Sequence, residues 1–179
     1  MPSEVITIGP YFAVTLGVAA FVGVPGRGDD HAHWTHQIAV DLEDRNVECF
    51  CDGRWLKGTG VFVPAGHPHS VQPGKQINLF FDTCVDWIAD LFGGKLDTTC
   101  GQVLDRDTLQ GVQSCFYEGA DLVESMRVFA SAFELRTHVR MDSLAFKDWT
   151  EILSKARDLK HNETLTLEEK YKQLANLLS

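Results

Sequence analysis

The first half of the chain reads in short β-branched and aromatic runs, each ended by Gly, Pro or a polar turn. These runs, 4–8, 11–16, 18–24, 36–42, 46–51, 61–63 and 76–82, predict strands. Gly9-Pro10 separates the first two. Asp52-Gly53 is a hairpin signal, because a type I′ turn needs positive φ at both central positions. The apolar stretch from Phe12 to Val24 is short, rich in Val and interrupted by Gly17 and Gly23. It reads as core strands and falls short of the ~20 residues that cross a bilayer. Close spacing of many short strands predicts an antiparallel sandwich or barrel.

Beyond Asp82 the period changes from two to three and four. Helices are predicted over 84–92, ended by Gly93-Gly94, then over 105–117, 120–135, 142–159 and 167–178. Asp142 can cap the fourth, whose apolar side is Leu144, Trp149, Ile152, Leu153 and Ala156. Thr166 and Glu169 have capping-box spacing at the start of the fifth. Trp87, Phe92, Phe116, Phe129 and Phe133 are expected to cover the β scaffold, and the tryptophans to lie in the core or at a pocket edge.

Composition narrows the function. Twenty-five acidic against sixteen basic residues give a net charge of −9, which argues against a nucleic-acid surface. The five cysteines are odd in number, and there is no C-x-x-C and no leader pattern, so a reduced cytoplasmic setting is expected. Cys49, Cys51 and Cys115 read as small buried hydrophobes.

The candidate chemistry lies in two stretches, HAHWTHQ at 31–37 and PAGHPH at 64–69, which hold five of the seven histidines. Alternation along a strand gives His31, His33 and Gln37 one parity and turns His36 away. A turn at Gly66, where glycine can adopt positive φ, could bring His69 beside them. Three imidazoles suit Zn, Ni, Fe, Cu or Mn. Gln37 adds only a neutral carbonyl oxygen, which leaves the charge of a dication uncompensated. Asp41 shares the parity of Gln37 but lies roughly 13 Å further along a regular strand, and Asp29 and Asp30 sit in a glycine-flanked loop. A metal site, an organic ligand site and a set of packed histidines all remain open at this point.

These residues resemble the two motifs of the cupin superfamily. The second is met from Gly58 through Pro64, Gly66 and His69, with Pro73 in place of the final Asn. The first is met at His31 and His33, with Gln37 where Glu is usual. Its leading glycine is displaced, since Pro25 holds that position and Gly26 and Gly28 stand nearby. A narrower pattern resembles the N-terminal sensor domain of AraC-type transcription regulators. It runs through His31, His33 and Gln37, then Asp52-Gly53-Arg54-Trp55, then Val63 to Val71, and Leu165-Thr-Leu-Glu-Glu169 resembles the start of that family's DNA-binding region.

The resemblance implies a mainly β fold with C-terminal α, a cupin-type antiparallel β-barrel (double-stranded β-helix) followed by helices. It divides the chain into a barrel at 1–82, helices at 83–140 that pack on the barrel or form a dimer interface, and a helical linker with an incomplete helix-turn-helix start at 141–179. It implies a small-molecule sensor using His31, His33, Gln37 and His69, with one divalent ion (Zn, Ni, Fe or Mn) as an optional cofactor and those same residues as its ligands. A homodimer and pairing with a full-length regulator are the implied partners. Residues 142–179 carry six basic and seven acidic side chains and reach no recognition helix, so direct DNA binding is not expected. A metal-dependent cupin enzyme, a dioxygenase or isomerase on the same four residues, is the alternative; the absence of a carboxylate ligand leans against it.

Overall fold

In a computed structural model of the chain, residues 4–23, 30–43, 45–83, 94, 96–134 and 144–178 are described. Ten strands come first: β1 Ile6–Ile8, β2 Phe12–Thr15, β3 Val18–Gly23, β4 His36–Asp41, β5 Val47–Cys51, β6 Arg54–Gly58, β7 Gly60–Val63, β8 His69–Val71, β9 Gln76–Phe81 and β10 Gln102–Leu104. Four helices follow: α1 Arg106–Cys115, α2 Leu122–Glu134, α3 Leu144–His161 and α4 Leu167–Leu178. Every strand pairing is antiparallel. The expected class, mainly antiparallel β followed by helices, is the one observed. The helix expected at 84–92, the Asp142 cap, Trp87 and Phe92 lie outside the described residues, as does the side chain of Phe133.

The strands form a seven-stranded sheet, ordered β1-β2-β3-β9-β4-β7-β10, and a three-stranded sheet, ordered β6-β5-β8. Because side chains alternate, one face of the large sheet carries Ile38, Val40, Ile77, Leu79 and Phe81. It packs under α1 and α2 through Leu109, Val112, Phe116, Met126 and Phe129. The opposite face is shared. Around β4 and β7 it meets the small sheet, with Ala39, Val61 and Val63 against Cys49, Cys51, Leu56 and Val71. Around β1 to β3 it meets α3 and α4, with Ile6, Ile8, Phe12, Val14 and Ala19 against Trp149, Ile152, Ala156, Leu174 and Leu178. The sequence expectation that Phe116 and Phe129 cover the β scaffold holds, and so does the buried set Trp149, Ile152, Leu153 and Ala156 on α3.

Local signals explain the joints. Asp52 (φ 54°) and Gly53 (φ 75°) both take positive φ, as a type I′ hairpin between β5 and β6 requires. Asp105 caps α1 by accepting from the Thr108 N–H at 2.7 Å. The capping box at α4 is reciprocal: the Glu169 carboxylate accepts from the Thr166 N–H at 2.7 Å, and the Thr166 hydroxyl accepts from the Glu169 N–H at 3.2 Å. No helix among the described residues is long and apolar enough to cross a membrane.

Candidate metal and ligand centre

Three short segments converge on one point. Residues 30–35 lead into β4, and Gln37 is its second residue. The turn at Pro64–Gly66 leads to β8, which opens with His69. His31 and His69 exchange both backbone hydrogen bonds, at 3.0 and 2.9 Å, in an isolated bridge. The Gly66 N–H donates to the His33 carbonyl at 2.8 Å, and Gly66 sits at φ 78°, the conformation the motif anticipates. The large sheet therefore delivers Gln37, the small sheet delivers His69, and the entry loop delivers His31 and His33.

The rings are close. Centroids of His31 and His69 are 4.4 Å apart, those of His33 and His69 4.8 Å, and those of His31 and His33 5.8 Å. One ligand nitrogen from each of the three lies within 4.8 Å of the others. His33, Gln37 and His69 are buried, and His31 is exposed, which leaves one side of the centre facing solvent. All four residues singled out from the sequence meet here.

The hydrogen bonds set the protonation pattern. Nδ1 of His33 lies 2.8 Å from the Thr35 carbonyl and Nδ1 of His69 lies 2.8 Å from the His67 carbonyl. A carbonyl only accepts, so both Nδ1 atoms carry the proton. Burial is the main influence on both imidazoles. It holds His33 below its usual range and His69 at about 4, so both are neutral near pH 7. Their Nε2 atoms are then bare lone pairs, and both point at Oε1 of Gln37, at 2.9 and 3.0 Å. The Gln37 amide is oriented by donating to Oδ1 of Asn78 at 2.9 Å. Three acceptors thus face one another with no proton between them.

Two arrangements satisfy them. A cation at their focus would be ligated by all three, with His31 completing the set and the Nδ1–H···O=C bonds serving as the outer partners that fix each ring. Alternatively, the Gln37 and Asn78 amides both turn over. The Gln37 NH₂ then donates to both imidazoles and its oxygen accepts from Nδ2 of Asn78, a buried atom with no partner in the observed orientation. The donor set fits a metal of the imidazole-preferring class, and the oxygen-inward orientation is the one a metal needs.

Neighbouring residues divide sharply. Nδ1 of His36 accepts from the Ala65 N–H at 3.0 Å and its ring packs on Phe62, so it braces the turn from the other face, as parity predicts. Asp41 accepts from the backbone of Glu43 and Arg45 and closes a loop at the far end of β4. Trp34 points away from His33: its Nε1–H donates to the Leu177 carbonyl on α4 at 3.1 Å, and its ring lies edge-on to Trp149 of α3. Trp55, expected in the core or at a pocket edge, is 59% exposed. The hairpin register pairs it with Phe50 on the outer face, opposite Cys49, Cys51 and Leu56. Sequence reasoning missed Asn78, which reaches Gln37 from 41 residues away and belongs to no motif. The only signal was an Asn among the apolar residues that follow Gln76 in β9.

No family model and no curated protein matches the chain. Solved structures do resemble it. An RmlC-like cupin from Shewanella frigidimarina is 20% identical over 45% of this chain and 85% of its own, with a TM-score of 0.33. A Cupin 2 conserved barrel domain protein from Salinispora arenicola is 19% identical over 45% and 75%, at 0.29. A DMSP lyase from Ruegeria pomeroyi is 26% identical over 40% and 41%, at 0.32. Each likeness spans less than half of this chain.

Proposed function

We propose that the chain is a ligand-sensing cupin domain of the AraC-regulator type, in which His31, His33, Gln37 and His69 hold one divalent cation and, through it, a small molecule. The observation that carries the cation is the meeting of two bare imidazole nitrogens and one amide oxygen at Gln37. The cation would be Zn, Ni, Fe or Mn, and its chemistry here is to supply positive charge and an open coordination position. None of the four side chains is a carboxylate or a thiolate, so the first shell supplies no negative charge to offset it. The small molecule is therefore an anion, such as a carboxylate, that enters on the side of exposed His31.

Sensing, as opposed to binding alone, is supported by Trp34. It stands between His33 and Thr35, and its indole is tied to both C-terminal helices. A shift of the His33 segment on ligation reaches α3 and α4 without an intermediate. A ligand moves that equilibrium only by its differential affinity for the two positions. The same proposal includes the division at residues 82 and 140, a homodimer, pairing with a full-length relative, and no direct contact with nucleic acid.

The second reading, a metal-dependent enzyme, draws on the same exposed side of the centre. Metal content of protein purified without added metal, followed by thermal unfolding with small carboxylates, tests both. Ligand-dependent stabilisation that disappears in His33→Ala, with the carboxylate recovered unchanged, supports the sensor. Conversion of the carboxylate would overturn it in favour of the enzyme, and absence of both effects would remove the site.

A further inference from the structure

A second cluster lies one turn from the histidine centre. Cys51 ends β5, Asp52 begins the hairpin turn, and His67 sits in the segment that leads into β8. One ligand atom from each lies within 4.8 Å of the other two. Nδ1 of His67 is 2.6 Å from Oδ1 of Asp52, and Oδ2 of Asp52 accepts from the Gly101 N–H at 2.8 Å. The carboxylate is thereby fixed with one oxygen toward the imidazole. Cys51 stands directly across the strand pair from His69, and directly opposed residues share a face.

Part of this is a clasp. Asp52 and His67 tie the hairpin to the turn before β8, and the bond to Gly101 ties both to the strand that follows. The thiol takes part in it, hydrogen-bonded to the Asp52 carboxylate, so all three groups already meet. Gly101 packs against the sulfur: a Cβ at residue 101 would come within 2.9 Å of the Cys51 Sγ and 3.2 Å of the Leu56 Cδ1, and Gly101 is not among the glycines with positive φ. Its lack of a side chain is explained by the close approach of Cys51 and Leu56, not by its backbone conformation.

We propose that Cys51, Asp52 and His67 form a second divalent-cation site, selective for a soft or borderline ion such as zinc. The ligand set is one thiolate, one carboxylate and one imidazole, with solvent as the fourth ligand, which is a set that zinc accepts and magnesium or calcium does not. The thiol is held protonated in the free protein, pushed up to about 11 by burial and the adjacent Asp52 charge. A cation removes that obstacle, because it binds the thiolate and releases one proton from Cys51 to solvent for each ion taken up. The thiolate and carboxylate then offset the whole charge of the dication. This site also touches the first one. The His67 carbonyl accepts from Nδ1 of His69, so an ion on the His67 ring holds the backbone group that orients a ligand of the histidine centre.

The test is a cobalt titration of the full chain after metal removal. Thiolate coordination gives cobalt an intense ligand-to-metal charge-transfer band that imidazole and amide ligands do not give. The band is expected in the wild type and in a His31→Ala/His33→Ala variant, so it is independent of the histidine centre. It is expected to persist in Cys49→Ser, a matched change at the other buried cysteine of β5, and to vanish in Cys51→Ser. Asp52→Asn and His67→Gln change side chains nearer the surface and are expected to weaken cobalt at least about tenfold. No charge-transfer band in the wild type at millimolar cobalt would overturn the proposal. So would a band that survives Cys51→Ser, or one that Asp52→Asn and His67→Gln leave unchanged.

Discussion

The histidine centre and the Cys51 cluster are a few residues apart, share one turn, and solve opposite problems. The centre is a set of imidazole and amide ligands held where the two sheets meet, buried except on the His31 side; it has geometry and no carboxylate or thiolate. The cluster has an exposed carboxylate beside a buried, latent thiolate; it has charge, and its geometry is borrowed from a structural clasp. In the centre, Nδ1–H bonds to carbonyls fix the rings before any ion arrives, so affinity depends on preorganisation. In the cluster, an ion must first displace a proton, so affinity depends on pH and on the softness of the metal.

The largest expected effect exploits the buried bases. His69 sits at about 4 in the folded chain against 6.5 for the free side chain, and His33 and His36 are lowered in the same direction by burial. The unfolded chain therefore takes up protons first as pH falls. Stability of metal-free protein is complete above about pH 6.5 and declines as pH drops toward 4. His69 alone accounts for a loss on the order of 3 kcal/mol across that window. Urea unfolding at pH 7.0 and 5.0 measures it, and a His69→Gln variant is expected to flatten the dependence. An equal slope in wild type and variant would mean that the centre is not held neutral. Asp52 is lowered by its bonds to Gly101 and His67, so the carboxylate of the cluster stays ionised through this same window.

Next in size is His33→Ala. Loss of an outer partner of a metal ligand already weakens binding roughly 10- to 100-fold, and loss of a ligand exceeds that. Calorimetric zinc titration is expected to show at least about 100-fold weaker binding at the centre, with thiolate-dependent cobalt binding retained at the cluster. Gln37→Glu acts in the other direction. It adds the missing negative charge where two imidazole nitrogens already point, and is expected to tighten divalent binding about tenfold, or ~1.4 kcal/mol. It should also weaken binding of an anionic small molecule to the metal-loaded protein. If affinity for the ion were unchanged, the centre would not be a cation site.

The convergence of His31, His33, Gln37 and His69 was legible because it follows from strand parity and two spaced motifs. The same parity correctly sent His36 to the opposite face. The helices from residue 105 onward were legible from periodicity and, for the last, from the capping box at Thr166 and Glu169. The strands that escaped notice, β6, β8 and β10, are short or carry few β-formers: RWLKG interleaves charge and glycine, and HSV and QVL are three residues long. Each is held by its pairing partner and has little propensity of its own. Trp55 was misplaced for a related reason: which face an aromatic takes in a hairpin is set by register, and that is a property of the pair. Asn78 and the Cys51–Asp52–His67 grouping are tertiary facts, assembled by β9 crossing between β3 and β4 and by the hairpin meeting the turn before β8. No local pattern contains them.

The smallest effect distinguishes binding from sensing. Trp34→Phe keeps the ring against Trp149 and removes the indole N–H that donates to the Leu177 carbonyl. The expected cost is about 1 kcal/mol of stability, the ordinary net worth of one such bond. Zinc affinity at the centre should change little, since neither His33 bond involves the indole. Hydrogen exchange along α4 is the decisive measurement. In the wild type, zinc and a bound carboxylate are expected to alter protection of amides near Leu177, because the His33 segment and the end of α4 move as one. In Trp34→Phe that response should shrink while binding persists. Undiminished coupling in the variant would place the connection elsewhere, through Phe80, whose ring meets His33 edge-on at 5.3 Å and packs into the same cluster as α3 and α4. A Phe80→Leu change would then abolish the response. Either result identifies a physical contact that carries the signal; a wild type whose α4 is indifferent to ligation would reduce the histidine centre to a binding site without a reporter.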